Sequence, residues 1–226
     1  MNKGHGMPRA LATNPPSPDR RSRRSAELRE RIFRAALERF AQKGFVETTV
    51  EDITTAADVG KGTFFNYFPS KDHILLAFGE MQLGRLRAAV DEARRTNQPL
   101  PQFMRSLTTL MTKEPARNPD IIRALLLAFL SNPEVRTAMM DLQTRVLALH
   151  SEMVQLGQER GEIRGDLKPI DVAQVFRQTI FGTLLIWSLY ADASLQSRLD
   201  SAFEIIWSGL SPRNVSKQPL VVPLFL

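Results

Sequence analysis

The stretch Phe45 to Leu75, FVETTVEDITTAADVGKGTFFNYFPSKDHIL, decides how the rest of the chain is read. Thr49 followed by Val50, Glu51 and Asp52 is an N-cap with two acids in the first helical turn, and Val50, Ile53 and Ala57 share one face of the short helix it starts. Asp58-Val59-Gly60 is too polar and too glycine-dependent to continue that helix. A second short helix, Lys61 to Phe68, follows and is stopped by Pro69. At ~100° per residue Phe64 and Phe68 fall on one face and Thr63, Asn66 and Tyr67 on the other. Two short helices joined by a tight turn, the second with an aromatic anchor inside and hydrogen-bonding side chains outside, form the supersecondary pattern whose second element enters the major groove of DNA. Gly62, without a side chain, lets the first turn of that helix approach a duplex closely.

Upstream, Ile32, Phe33, Ala36, Leu37 and Phe40 place an apolar stripe on a helix running from Ser25 to about Lys43, with Gly44 at its C′ position. This stripe is the surface to which Phe64 and Phe68 anchor. Before it, residues 1–24 read as a disordered basic arm, with Pro8, Pro15, Pro16 and Pro18 ahead of the cluster Arg20-Arg21-Ser22-Arg23-Arg24. Residues 1–44 hold 11 Lys and Arg against 4 Asp and Glu, a balance of +7, and the rest hold 19 against 20. The cationic end therefore faces an anionic partner, and Arg23 and Arg24 are expected to follow a phosphate backbone.

Downstream, Ser70 can cap a helix that carries Ile74, Leu75, Phe78, Met81, Leu86 and Val90 to about Arg95. Beyond Pro99, proline, asparagine and glycine separate helical segments near 101–113, 119–130, 133–160, 169–191 and 195–210. No run alternates with period two long enough to make a strand. The chain reads as all-α with about nine helices: a helix-turn-helix domain over 25–72, a helical domain over 73–210, and a proline-rich tail over 211–226.

The run quoted above, with the helix before it, resembles the N-terminal DNA-binding domain of the TetR/AcrR family of bacterial transcriptional regulators, over about Ile32 to Leu75. The segment KGTFFNYFPSK is far more specific than a generic helix-turn-helix pattern. Two positions depart from the family pattern: Asp58 stands where the turn usually has glycine, and Gly60 where the recognition helix usually has a serine cap. The resemblance implies that Lys61, Thr63, Phe65, Asn66 and Tyr67 contact the major groove and adjacent backbone, with Thr49 and Lys71 at phosphates. It also implies a ligand-responsive regulator, most often a repressor, that binds operator DNA as a homodimer and is released by a small effector.

Other classes fit less well. The chain has no cysteine, which excludes thiolate metal sites and cysteine nucleophiles, and His5, His73 and His150 have no partner at metal-binding spacing. No phosphate loop, GxSxG elbow, HExxH or carboxylate cluster points to catalysis, so no catalytic residue, cofactor or metal is expected. The longest apolar stretch, Ile180 to Tyr190, is half the ~20 residues of a membrane span, and no signal peptide is visible, so a cytoplasmic protein without membrane partners is expected. The competing reading is a helical enzyme or lipid-surface protein with a basic tail, which lacks the basic amphipathic helix it would need.

In the second domain Phe103, Met104, Met111, Phe129, Met139 and Met140 could line an adaptable apolar effector cavity. Val172, Phe176, Ile180, Thr183 and Trp187 step by four and three, as do Leu199, Ile206 and Leu210 within the next helix pattern. These seams are the expected dimer interface. The helix over 169–191 is apolar nearly all round and needs cover on two sides, which the family resemblance implies is a four-helix contact between two subunits.

Overall fold

The computed structural model describes residues 20–117, 119–190 and 194–212, and among them every regular element is helical. The nine helices of that set are α1 (Arg20–Lys43), α2 (Val50–Ala56), α3 (Lys61–Tyr67), α4 (Asp72–Arg95), α5 (Leu100–Arg117), α6 (Pro119–Ser131), α7 (Pro133–Glu159), α8 (Pro169–Tyr190) and α9 (Leu195–Leu210). Their boundaries follow local chemistry. Gly44 ends α1 with φ +83°, and Asn132 caps α7 through its side-chain oxygen, with Pro133 in the first turn.

One expectation is corrected at the start. Arg20 to Arg24 are helical, the first turn and more of α1, and not part of a disordered arm. Arginine is a strong helix former, and the helix is held nearby by a Ser25 to Tyr67 hydroxyl contact of 3.2 Å, by Leu28 against the core, and by the Arg29 guanidinium 5.0 Å over the Phe68 ring. The rest of the expected arm, residues 1–19, and the tail beyond Pro212 lie outside the described residues.

The first core joins Ile32, Ala36 and Phe40 of α1 to Ile53, Phe64 and Phe68, as the aromatic-anchor reading requires. It does not stop at the end of the helix-turn-helix. Ile74, Leu75 and Phe78 of α4, Ile121, Ala124 and Ala128 of α6, and Val135 and Met139 of α7 belong to the same cluster. A second cluster packs α4, α5, α7, α8 and α9 around Leu86, Leu100, Leu149, Met153, Phe176 and Phe203. A third, smaller one holds Ile122, Leu184, Trp187, Leu195 and Leu199. Helix α4 enters both large clusters, so it ties the N-terminal unit to the bundle.

Candidate DNA interface and effector cavity

The turn between α2 and α3 is built on Asp58, whose φ of +50° is the one positive value at a non-glycine residue among those described. Its amide donates to the Thr55 carbonyl and that of Val59 to the Thr54 carbonyl, the paired bonds of a Schellman motif. Arg31 holds the turn from α1 by donating to the Asp58 carbonyl at 3.1 Å. Aspartate thus fills a place that favours glycine, because its short polar side chain tolerates the left-handed region better than most.

On α3, Phe64 and Phe68 are buried, whereas Lys61, Gly62, Phe65 and Asn66 are exposed and Thr63 and Tyr67 half-buried. Phe65 leaves 52% of its surface open, an unusual exposure for an aromatic ring on a short polar face. Gly60 and Gly62 both have open space where a Cβ would stand, and neither has positive φ, so packing within the chain does not demand glycine at either position. Lys61 meets Glu51 at 3.0 Å in an exposed pair that a phosphate can displace. Arg23 and Arg24 are exposed on the same end of α1 that reaches Tyr67.

Two expected phosphate contacts are otherwise engaged. Lys71 donates to the carbonyls of Phe45, Val46 and Thr48 at 2.8, 3.0 and 3.0 Å, and its ammonium lies 4.6 Å from the Phe45 ring centre. Burial pushes its pKa down. It is a clamp on the loop between α1 and α2, not a free cation. Thr49 forms a capping box with Asp52: its hydroxyl accepts from the Asp52 amide at 3.1 Å and donates to the Asp52 carboxylate at 2.6 Å. The Asp52 carboxyl is held well below the usual range, first by Lys43 and then by Thr49. The N-cap position of α4 falls on Lys71, which makes no side-chain cap bond, and Ser70 one residue earlier accepts from the Asp72 amide at 3.2 Å.

Between the first and second cores lies a cavity of about 460 Å³, within the range of small-molecule sites. Met104, Met111, Phe129 and Met139 line it as expected. Two of the expected residues do not. Phe103 packs on the outside of the second core, and Met140 points to solvent, because the adjacent Met139 takes the inward position on α7. Sequence reasoning missed the polar lining, Gln82, Gln143, His150 and Arg177, since single polar residues in long amphipathic helices carry no periodic signal of their own. Burial pushes the His150 imidazole down, with Arg177 nearby acting in the same direction.

The expected dimer residues are also reassigned. Val172, Phe176, Trp187, Leu199 and Leu210 are buried within the chain's own cores, and Phe176 also lines the cavity. Ile180, Thr183 and Ile206 are half-buried at their edge. The four-three spacing selects the inward seam. Val175, Ile186 and Leu189 form a separate exposed stripe on α8, and Ile205 of α9 is 73% exposed.

The family model described as bacterial regulatory proteins, tetR family, matches residues 32–78. The HTH-type transcriptional regulator EthR of Mycolicibacterium smegmatis is 27% identical over 169 residues, which cover 74% of this chain and 78% of the relative. The HTH-type transcriptional repressor KstR of the same organism is 26% identical over 182 residues, 80% and 87% of the two chains. Thermus thermophilus FadR, a TetR-family repressor solved with lauroyl-CoA, is 30% identical with a TM-score of 0.63, covering 83% of this chain and 97% of its own. With the family model matching residues 32–78 and a TetR-family repressor 30% identical to this chain along nearly its whole length, the chain belongs to the TetR family of bacterial regulatory proteins.

Proposed function

We propose that this protein is a transcriptional repressor of the cytoplasm that grips operator DNA as a homodimer and lets go when an apolar effector fills its cavity. It performs no catalysis in this reading. The DNA-binding unit spans about 25–72, with the helical extension over Arg20–Arg24 added to it, and 73–210 is the effector and dimerisation unit. Lys61, Thr63, Phe65, Asn66 and Tyr67 of α3 meet the major groove and its flanking phosphates, while Arg23 and Arg24 follow the backbone from a rigid helix. The second subunit covers the outer stripe of Val175, Ile186, Leu189 and Ile205, the apolar surface that a single chain leaves to water.

One observation carries the regulatory part. Leu75 and Phe78 wall the cavity and at the same time belong to the core that seats Phe64 and Phe68. An effector that displaces them acts directly on the support of the recognition helix, and α6 offers a second path because Ile122, Leu125 and Phe129 wall the cavity while Ala124 packs in the same core. Close-packed cores transmit such displacements instead of absorbing them. The name and bound ligand of the Thermus relative agree with a repressor whose effector has a long apolar part.

The test is a mobility-shift titration with DNA flanking the protein's own gene, repeated with a panel of apolar ligands chosen by thermal shift. Retarded complexes of dimer stoichiometry that a cavity ligand dissolves support the reading. A protein that binds no DNA from that region, or binds it with undiminished affinity when ligand-saturated, does not fit it.

A further inference from the structure

The cavity is not uniformly apolar. Among the described residues its lining contains no carboxylate, and Arg177 of α8 is the one guanidinium or ammonium in it. Arg177 donates to the Gln143 side-chain oxygen at 2.5 Å and has no ion-pair partner among the described residues, and its Nε is buried without a hydrogen bond. A guanidinium placed against an apolar cavity and tied to a neutral amide leaves donors unspent, and the environment favours an acceptor that arrives from outside the chain. Gln143 itself lines the cavity, and its carbonyl is spent on Arg177, so its amide nitrogen adds a second donor beside the first. His150 does not compete for this role. Its Nδ1 lies 3.0 Å from the Val146 carbonyl, which requires Nδ1 to be the donor.

Apart from Gln82 and Thr108, which donate to the Met111 and Met104 carbonyls, the side chains along the length of the wall form a long apolar channel. Along α4 it runs from Leu75 to Leu86, eleven residues or ~16 Å of helix, and along α7 from Met139 to Met153. An extended chain advancing ~1.2 Å per bond, as a fully extended backbone does, fits about a dozen bonds in ~16 Å. Gln178 and Phe181, both exposed, show that the lining reaches the surface next to Arg177, so a bulky head group need not be enclosed.

We propose that Arg177, held by Gln143, anchors the carbonyl oxygen of an acyl group, free acid or thioester, whose alkyl chain lies in the channel walled by α4, α6 and α7. This inference rests on the effector reading above and names the chemical class of that effector and its polar anchor.

Calorimetry on the full-length protein with dodecanoate, dodecanoyl-CoA and dodecan-1-ol tests it. At least one acyl probe binds more tightly than the alcohol, and which one identifies the free acid or the thioester as the source of the carbonyl. Arg177→Leu weakens that probe roughly 10- to 100-fold, the range for a missing charge-assisted hydrogen bond, and leaves the alcohol about unchanged. Gln143→Leu, which keeps the guanidinium but removes the side chain that orients it and the second donor, narrows the acyl-over-alcohol preference and serves if Arg177→Leu lowers the melting temperature too far to be read. An alcohol bound as tightly as both acyl probes, or an acyl preference that survives in both variants, overturns the anchor while leaving an apolar effector in place. Failure of all three probes to bind the wild type overturns the anchor and the apolar-effector reading together.

Discussion

Lys71 shows how a cationic residue in a DNA-binding motif can serve the fold through its own ammonium. Its three carbonyl partners come from the loop that precedes α2, so its ammonium fixes the start of the helix-turn-helix against the start of α4. Lys71→Met is expected to cost about 2 kcal/mol of stability, as for removal of a set of hydrogen bonds to a charged donor, read as a lower denaturation midpoint. The slope of operator affinity against salt should stay as in the wild type, whereas removing a true phosphate ligand would flatten it. Gly62 poses the opposite case. Gly62→Ala meets open space in the chain and gains roughly 0.5–1 kcal/mol of helix propensity, yet it should weaken operator binding in a mobility shift, since the added methyl stands where the duplex approaches. Asp52, with its carboxyl held down by Lys43 and Thr49, contributes stability that is full above the ordinary aspartate value of about 3.9 and fades only as pH falls further toward its depressed native value. Asp52→Asn should therefore lower stability at neutral pH and reduce the decline seen on acidification, measured as melting temperature against pH.

At the scale of elements, α1 and α8 keep the period that the sequence predicts but meet neighbours that it does not. The arginine cluster before Ser25 has the composition of a tail, and it continues as a helix because arginine favours helix and the following turns are held by contacts of Ser25 and Arg29 with Tyr67 and Phe68, more than 35 positions away. A double change of Arg23 and Arg24 to alanine should keep the fold and lower the salt dependence of DNA binding by roughly 0.9 for each phosphate no longer neutralised, read from a salt titration of operator affinity. In α8 two apolar stripes compete for the interface, and burial separates them. Leu189→Glu together with Ile205→Glu is expected to yield a folded monomer by analytical ultracentrifugation, because both side chains face outward. Leu199→Ala should instead cost about 2–5 kcal/mol of stability, as for a cavity opened in a core.

For the whole molecule, the continuity of the first core through α4, α6 and α7 has a thermodynamic consequence. In the proposed switch ligand and operator act on one set of packed residues, and linkage then requires each to change the other's affinity by the same factor. A coupling of ~1–3 kcal/mol corresponds to ~5–150-fold. Titrating one effector with and without saturating operator should give affinities differing by the factor by which that effector weakens the operator complex. Equal affinities in the two titrations would mean that Leu75 and Phe78 do not connect the sites.

What the sequence by itself determined is local and periodic. The cap at Thr49, the left-handed turn at Asp58, the inward pair Phe64 and Phe68, and the limits of α4 to α9 to within a few residues all follow from short-range chemistry repeated along the chain. Tertiary structure alone decided which of two apolar stripes on α8 is inside, that Met139 and not Met140 lines the cavity, that the Lys71 ammonium is engaged by carbonyls, and that Arg177 and Gln143, on different helices, meet. The reason is geometric. Periodicity gives the relative angle of side chains on one helix, but which angle faces a neighbour depends on how that helix is rotated against elements distant in the chain.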